Sequence, residues 1–252
     1  MAEQGDKARL FAALHRPGEP LVLYNAWDAG SAKAVAEAGA KAIATGSASV
    51  AAAHGFHDAE ALPLDLALAN AARVAAAVEL PVSIDFEGAY AVEPESVAVN
   101  MRRLAETGSI GCNFEDQVIG GEGLHSLEAQ SARIRAARAA VGPDFFINAR
   151  TDIFLKTRAQ THDPSKIEEA IARARAYAEA GASGFFVPGL VDLDQLARIC
   201  SASPLPVNFM AFPGAPAAAA VAAAGVARIS HGPFPHKLAT EALKAAAEAI
   251  YG

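Results

Sequence analysis

Asp85 and Glu87 stand two residues apart in the segment Asp85-Phe86-Glu87-Gly88, so on extended backbone their carboxylates share one face. Glu115 closes a second such segment, Gly111-Cys112-Asn113-Phe114-Glu115-Asp116. If it leaves a neighbouring strand in the same direction, three carboxylates converge. Like charges in one cavity are unfavourable unless protons or a cation neutralise them. A hard divalent ion, Mg²⁺ or alternatively Mn²⁺, suits such an all-oxygen donor set. Any one of these acids taken singly could equally pair with a surface cation; it is the set that points to metal. Arg150, inside Asn148-Ala149-Arg150-Thr151-Asp152, offers a bidentate fork to a substrate carboxylate or phosphate, or else an ion pair to Asp152 or Glu115. The Thr45-Gly46-Ser47 turn has small residues where a ligand can approach backbone N–H groups. The chemistry in view is capture of a small carboxylic acid beside a metal ion.

These residues need a scaffold that brings distant segments together, and the chain carries one rhythm from end to end. Apolar runs (Leu21–Tyr24, Ala42–Thr45, Val82–Asp85, Gly111–Glu115, Phe145–Arg150, Gly184–Val187, Val207–Met210, Arg228–Ser230) alternate with eight alanine-rich helical stretches, from Ala29–Ala38 to Pro235–Tyr251. Strands separated by helices are parallel and joined by right-handed crossovers. Eight such units in 252 residues are the size of a (β/α)₈ TIM barrel, and no linker composition interrupts residues 1–252, so one barrel domain is expected. An open doubly wound sheet is the alternative. It would favour a G-x-G-x-x-G turn after the first strand, where Tyr24-Asn25-Ala26-Trp27-Asp28 stands instead. In a barrel the chemistry lies at the C-terminal ends of the strands, which is where all the residues above fall. Asn208 on the seventh strand joins them as a substrate contact, and Trp27 after the first as pocket wall. Gly120, Gly121 and Gly123 make the loop after the fourth strand a flexible lid.

With 21 Lys+Arg against 28 Asp+Glu the net charge is −7, which argues against nucleic-acid and anionic-membrane partners. At 52% hydrophobic residues the chain can bury a large core. Cys112 and Cys200 lie far apart, which excludes a zinc knuckle and a disulfide scaffold. No N-terminal stretch resembles a signal peptide and no apolar run is long enough to span a bilayer, so a cytoplasmic setting is expected.

Taken in order, these motifs resemble the isocitrate lyase/phosphoenolpyruvate mutase superfamily, over about Leu21 to Ser230. The small-residue turn is followed thirteen positions on by Asp58; the D-x-D/E-x-G, G-x-N-x-E-D and N-A-R-T-D elements then follow at the third, fourth and fifth strands. The resemblance implies that Asp85 binds Mg²⁺ directly, with Asp58, Glu87 and Glu115 around it through water. It makes Asp58, Arg150 and His125 the candidate catalytic residues. Trp27, Thr45, Gly46, Ser47, Asp85, Arg150 and Asn208 are the candidates for substrate binding.

One departure narrows the reaction. Family members that split isocitrate or methylisocitrate carry a Lys-(Lys/Arg)-Cys-Gly-His loop after the Glu-Asp pair, whereas here Gly121-Glu122-Gly123-Leu124-His125 retains only the histidine. The phosphonate branch uses a loop lysine and asparagine to handle a phosphoryl group, and neither appears between Val118 and Ser126. What remains is an enolate-stabilising site without a dedicated acid, which fits decarboxylation of an oxaloacetate-type 2-oxo acid. The alternatives are retro-aldol cleavage of an alkylmalate-type acid with His125 or solvent as the acid, P–C chemistry, and a 2-oxo-acid-binding protein without turnover. A homo-oligomer, dimer or tetramer, is expected. Because the sequence stops at Gly252 directly after the eighth helix, exchange of further C-terminal helices between subunits is expected to be absent or reduced.

Overall fold

The computed structural model describes residues 2–157 and 163–252. Its strands are β1 (Leu21–Leu23), β2 (Ile43–Ala44), β3 (Val82–Asp85), β4 (Gly111–Glu115), β5 (Phe146–Arg150), β6 (Gly184–Phe186), β7 (Val207–Met210) and β8 (Arg228–Ser230). All neighbouring pairs are parallel, in the order β1-β8-β7-β6-β5-β4-β3-β2. The seam between β1 and β2 is made just beyond the strands, by a parallel bridge between Ala26 and Thr45. There the Ala26 N–H donates to the Ala44 carbonyl at 2.8 Å and the Gly46 N–H to the Ala26 carbonyl at 3.3 Å. Buried Asn25 reinforces the seam: its amide donates to Thr45 O, and its Oδ1 accepts the N–H groups of His231 and Gly232. The result is the nearly closed TIM barrel that the alternation predicts.

The helices are α1 (Ala2–Ala13), α2 (Ala29–Glu37), α3 (Ser47–Ala53), α4 (Leu64–Ala77), α5 (Pro94–Ala105), α6 (Leu127–Val141), α7 (Ile153–Lys156), α8 (Pro164–Glu179), α9 (Leu193–Ala202), α10 (Ala218–Ala223) and α11 (Phe234–Tyr251). The eight helical stretches read from composition are all present, with ends that differ by no more than three residues. Three further helices, α1, α3 and α7, escape that reading. In α1, Gly5 and the flanking charges hide a helix whose Ala8 and Phe11 plug the N-terminal end of the barrel against Leu21, Leu23, Ile110 and Phe146.

Alternate residues of a strand face opposite sides. Ile84, Cys112, Phe114, Ile147, Phe185 and Ile229 belong to the apolar layer under the helices. The inward positions are instead polar above the apolar plug: Ser83 and Asp85, Asn113 and Glu115, Asn148 and Arg150, Asn208, Arg228 and Ser230. Gly111 admits this packing, because a Cβ there would lie 2.6 Å from the Phe146 carbonyl oxygen.

The eighth helix does not cover its own barrel. In α11 only Pro235 is buried, while Leu243 and Ile250 are 71% and 78% exposed. The outer face of β1, which a barrel helix would otherwise shield, leaves Val22 half exposed. Among the described residues no helix is long and apolar enough to cross a membrane.

Candidate active site at the barrel mouth

The Thr45-Gly46-Ser47 segment is a helix start rather than a simple turn: Gly46 is the extended N-cap of α3. The Ser47 N–H, in the first turn and so without an intrahelical acceptor, donates to Asp85 Oδ2 at 3.0 Å. Ser47 Oγ donates to Asp58 Oδ1 at 3.2 Å, which brings the loop acid beside Asp85. Thr45 Oγ1 accepts the Asp85 N–H at 3.0 Å, and Asn113 Nδ2 donates to Asp85 Oδ1 at 3.2 Å. Asp85 therefore has one donor on each carboxylate oxygen.

Glu87 reaches the site by a different route from the shared extended face. The chain leaves β3 after Asp85, and Glu87 adopts φ of +50°. Its Oε2 accepts the Glu60 N–H at 2.6 Å, and Glu60 Oε1 in turn accepts the Tyr90 N–H at 2.7 Å. Ala59, Glu60, Glu87, Ala89 and Tyr90 are the non-glycine residues in left-handed conformation among those described, and they form these two cross-braced loops. Such conformations cost roughly 1–3 kcal/mol each and persist only where the surroundings hold them. Arg133 of α6 supplies the second brace, donating to the carbonyls of Gly88 at 2.6 Å and Ala91 at 2.9 Å. Gly88 lets these loops approach closely, since a Cβ would meet Glu60 Oε1 at 3.0 Å and Ile119 at 3.3 Å and push those side chains aside.

Arg150 makes both of the ion pairs open to it. Its Nη1 lies 2.9 Å from Glu115 Oε2 and its Nε 2.8 Å from Asp152 Oδ1, with the Glu115 and Asp152 side chains almost wholly buried. A guanidinium has five N–H donors, so this clamping still leaves donors for a ligand. Gln117 Nε2 donates to Glu115 Oε1 at 2.8 Å. The partner acid of the Glu-Asp motif, Asp116, points away from the mouth: Arg173 and Tyr177 hold its Oδ2, and the Asp152 N–H holds its Oδ1.

Burial, with the charges of Asp58, Asp85 and Glu115 added, pushes Glu87 up to about 9. Asp58 is raised by burial and by Asp85, and Glu115 by burial against the pull of Arg150. The folded, metal-free protein thus holds a proton on Glu87 that the unfolded chain has released above its ordinary value of 4.5. That stabilisation is complete below 4.5 and is lost as pH rises through about 9. Thermal unfolding of metal-free protein is accordingly expected to shift to lower temperature across this window, and Mg²⁺ to reverse the loss at its alkaline end. A flat or rising melting temperature there contradicts the expectation.

These acids test whether the residues suit a divalent ion. Among the described residues no group of three or more His, Cys, Asp or Glu side chains stands in a direct-ligand arrangement. The donors are nevertheless all hard oxygens, and they raise one another's affinity for positive charge. The donor chemistry suits a hard divalent ion, while no cage of three direct carboxylate ligands is formed among the described residues.

His125 is half-buried, its backbone fixed by Asp116 O and by Arg173, and its ring is held below the ordinary value by burial and by Arg133 and Arg173. Cys112 is fully buried, faces the helices, and has its thiol pushed far above the usual range by burial. Trp27 packs on the Val50, Ala51 and Leu62 cluster and meets the His236 ring edge-on at 5.0 Å. Asn208 is buried, with Oδ1 receiving Ser230 Oγ and Nδ2 without a partner. The site thus contains Glu60, Arg133 and Arg228, which motif reading passes over, and Asn113, which the motif includes without a role. An arginine at an inward position of β8 is the one such signal visible in sequence, since barrel interiors favour branched apolar residues.

Comparison with known proteins agrees with this fold. The family model described as phosphoenolpyruvate phosphomutase matches residues 11–251. A Burkholderia cenocepacia J2315 structure provisionally assigned as a phosphonomutase is 47% identical, covering 98% of this chain and 99% of its own, with a TM-score of 0.95. An uncharacterised Mycobacterium tuberculosis H37Rv protein is 36% identical over 241 residues, 95% of this chain and 88% of the relative. The structure of a 2,3-dimethylmalate lyase, described as a PEP mutase/isocitrate lyase superfamily member, is 27% identical over 97% of this chain and 86% of its own, with a TM-score of 0.84.

Proposed function

The chain belongs to the phosphoenolpyruvate mutase family of the PEP mutase/isocitrate lyase superfamily, and from that premise we propose that it is a Mg²⁺-dependent carbon–carbon lyase decarboxylating an oxaloacetate-type 2-oxo dicarboxylic acid. The observation that carries this reading is an asymmetry. The barrel mouth gathers Asp58, Asp85, Glu87, Glu115 and Arg150, while the loop over it holds neither a cation nor a thiol. Asp85 would hold the ion directly, and Asp58, Glu87 and Glu115 through water. When bound, Mg²⁺ supplies positive charge where the enolate oxygen develops. The free edge of Arg150 holds the substrate carboxylate next to the carbonyl, with its fork kept in plane by Glu115 and Asp152. The electron pair of the breaking C–C bond moves into the carbonyl as CO₂ departs, and CO₂ needs no proton to leave. Solvent reaching the glycine-rich loop then protonates the enolate carbon. Cys112 takes no part, being buried on the other side of the strand.

Cleavage of an alkylmalate-type acid is the second reading, favoured by the likeness to the 2,3-dimethylmalate lyase. It requires a proton donor, and burial together with Arg133 and Arg173 disfavours the protonated form of His125, the loop residue available for that role. Incubation with Mg²⁺ and a panel of oxaloacetate, alkylmalates and phosphonopyruvate, followed by product analysis, separates the readings. Pyruvate and CO₂ from oxaloacetate well above the Asp85→Ala background are expected. Turnover of an alkylmalate instead moves the assignment to the second reading; phosphate release from phosphonopyruvate moves it to P–C chemistry. Ligand binding with no product from any acid makes the protein a binding module.

We further propose a cytoplasmic homodimer in which α11 is exchanged. One face of α11 carries Ala239, Leu243, Ala246 and Ile250, and its own barrel does not cover it. The barrel in turn has an apolar groove of about 830 Å³ outside β1, lined by Pro20, Val22, Tyr24, Val35, Ala38 and Ala218. Each surface is what the other lacks. Wild-type protein is expected to run as a dimer or larger in light-scattering chromatography, and Leu243→Glu as a monomer. A monomeric wild type contradicts the proposal.

A further inference from the structure

Arg228 breaks the pattern of a barrel core. It faces inward from β8, is wholly buried, and makes no ion pair with a carboxylate among the described residues. A buried charge costs several kcal/mol unless bonded partners offset it. Its Nε donates to Ser230 Oγ at 3.1 Å and its Nη2 to Asn113 Oδ1 at 3.2 Å, while Nη1 has no hydrogen-bond partner. Asn148 Nδ2 donates to the same Asn113 oxygen at 2.9 Å.

These contacts settle which way Asn113 points. A guanidinium can only donate, so the atom of Asn113 facing Arg228 must be the carbonyl oxygen. The NH₂ then faces the mouth and meets Asp85 Oδ1 at 3.2 Å, while the Ser47 N–H takes the opposite oxygen. If the amide turned over, its oxygen would confront the Asp85 carboxylate and displace it. A line of three side chains therefore runs from the middle of the barrel to the acid read above as the direct Mg²⁺ ligand.

We propose that Arg228 is a positioning residue for metal binding: through Asn113 it fixes the plane in which Asp85 presents its carboxylate. The proposal rests on the metal reading of Asp85 and adds the residue that makes that acid a preorganised ligand. Groups that orient a metal ligand typically contribute ten- to a hundredfold to affinity.

The test is Mn²⁺ titration of metal-free protein, followed by electron paramagnetic resonance, with folding checked by circular dichroism. Arg228→Met is expected to weaken Mn²⁺ binding by roughly tenfold or more. Asn113→Ser, whose hydroxyl falls short of Asp85, is expected to do the same with Arg228 in place, and carries the test if Arg228→Met does not fold. Ser83→Ala is the control for core packing: its hydroxyl is buried inside the same barrel, unpartnered and outside the line, and its loss should leave Mn²⁺ affinity unchanged. Folded Arg228→Met or Asn113→Ser protein binding Mn²⁺ like the wild type overturns the proposal, as does an equal loss in Ser83→Ala. Wild-type protein that takes up no Mn²⁺ overturns the metal reading of Asp85, and the line from Arg228 with it.

Discussion

Asp85→Ala is expected to lower Mg²⁺-dependent turnover about a thousandfold or more, the several kcal/mol that a metal ion contributes to stabilising a developing oxyanion. No other acid in the mouth could take its place. Glu87 is engaged by the Glu60 backbone, Glu115 by Arg150 and Gln117, and Asp58 stands on a loop and is reached by the Ser47 hydroxyl. The same substitution removes one negative charge from a crowded set, so metal-free Asp85→Ala should melt no lower than wild type. Activity and stability moving in opposite directions would separate the loss of a ligand from simple unfolding. Parallel loss of both in steady-state kinetics and calorimetry would count against Asp85 as the metal ligand.

Arg150→Ala should act on both properties at once. Glu115 and Asp152 would be left as buried acids without their cation, and breaking such a pair costs roughly 3–5 kcal/mol. Urea unfolding of the metal-free variant should show this loss directly. Surviving activity should appear with a raised KM, because the substrate carboxylate loses its fork. Arg150→Lys should recover part of the stability and little of the KM, since an ammonium offers no planar pair of donors. A variant as stable as wild type would show that Glu115 and Asp152 are adequately held by Gln117 and the backbone alone.

The barrel and the mouth residues were legible because both rest on local regularities. Alternating apolar runs and alanine-rich stretches specify βα units, and βα units place strand-end acids on one face. The metal-site candidates Asp85, Glu87 and Glu115 follow from that, together with Arg150. What local pattern concealed is whatever tertiary contact decides. Glu87 turns inward by a left-handed backbone that Glu60 and Arg133 hold from separate loops and helices. The Gly46-Ser47 step opens a helix because a carboxylate 38 residues on accepts its first N–H. In α11 the composition shows an ordinary eighth barrel helix, yet of its residues only Pro235 is buried, which no local pattern reveals. Arg228 sits in a strand that was recognised, but its contact with Asn113 spans 115 residues.

The most direct measurement is a crystal structure with Mg²⁺ and oxalate, a planar dianion that resembles the enolate of pyruvate. The account predicts the ion on an Asp85 oxygen, with Asp58, Glu87 and Glu115 meeting it through water and oxalate lying between the ion and Arg150. Mg²⁺ bound away from Asp85, or oxalate held at the mouth with no metal beside it, would contradict it.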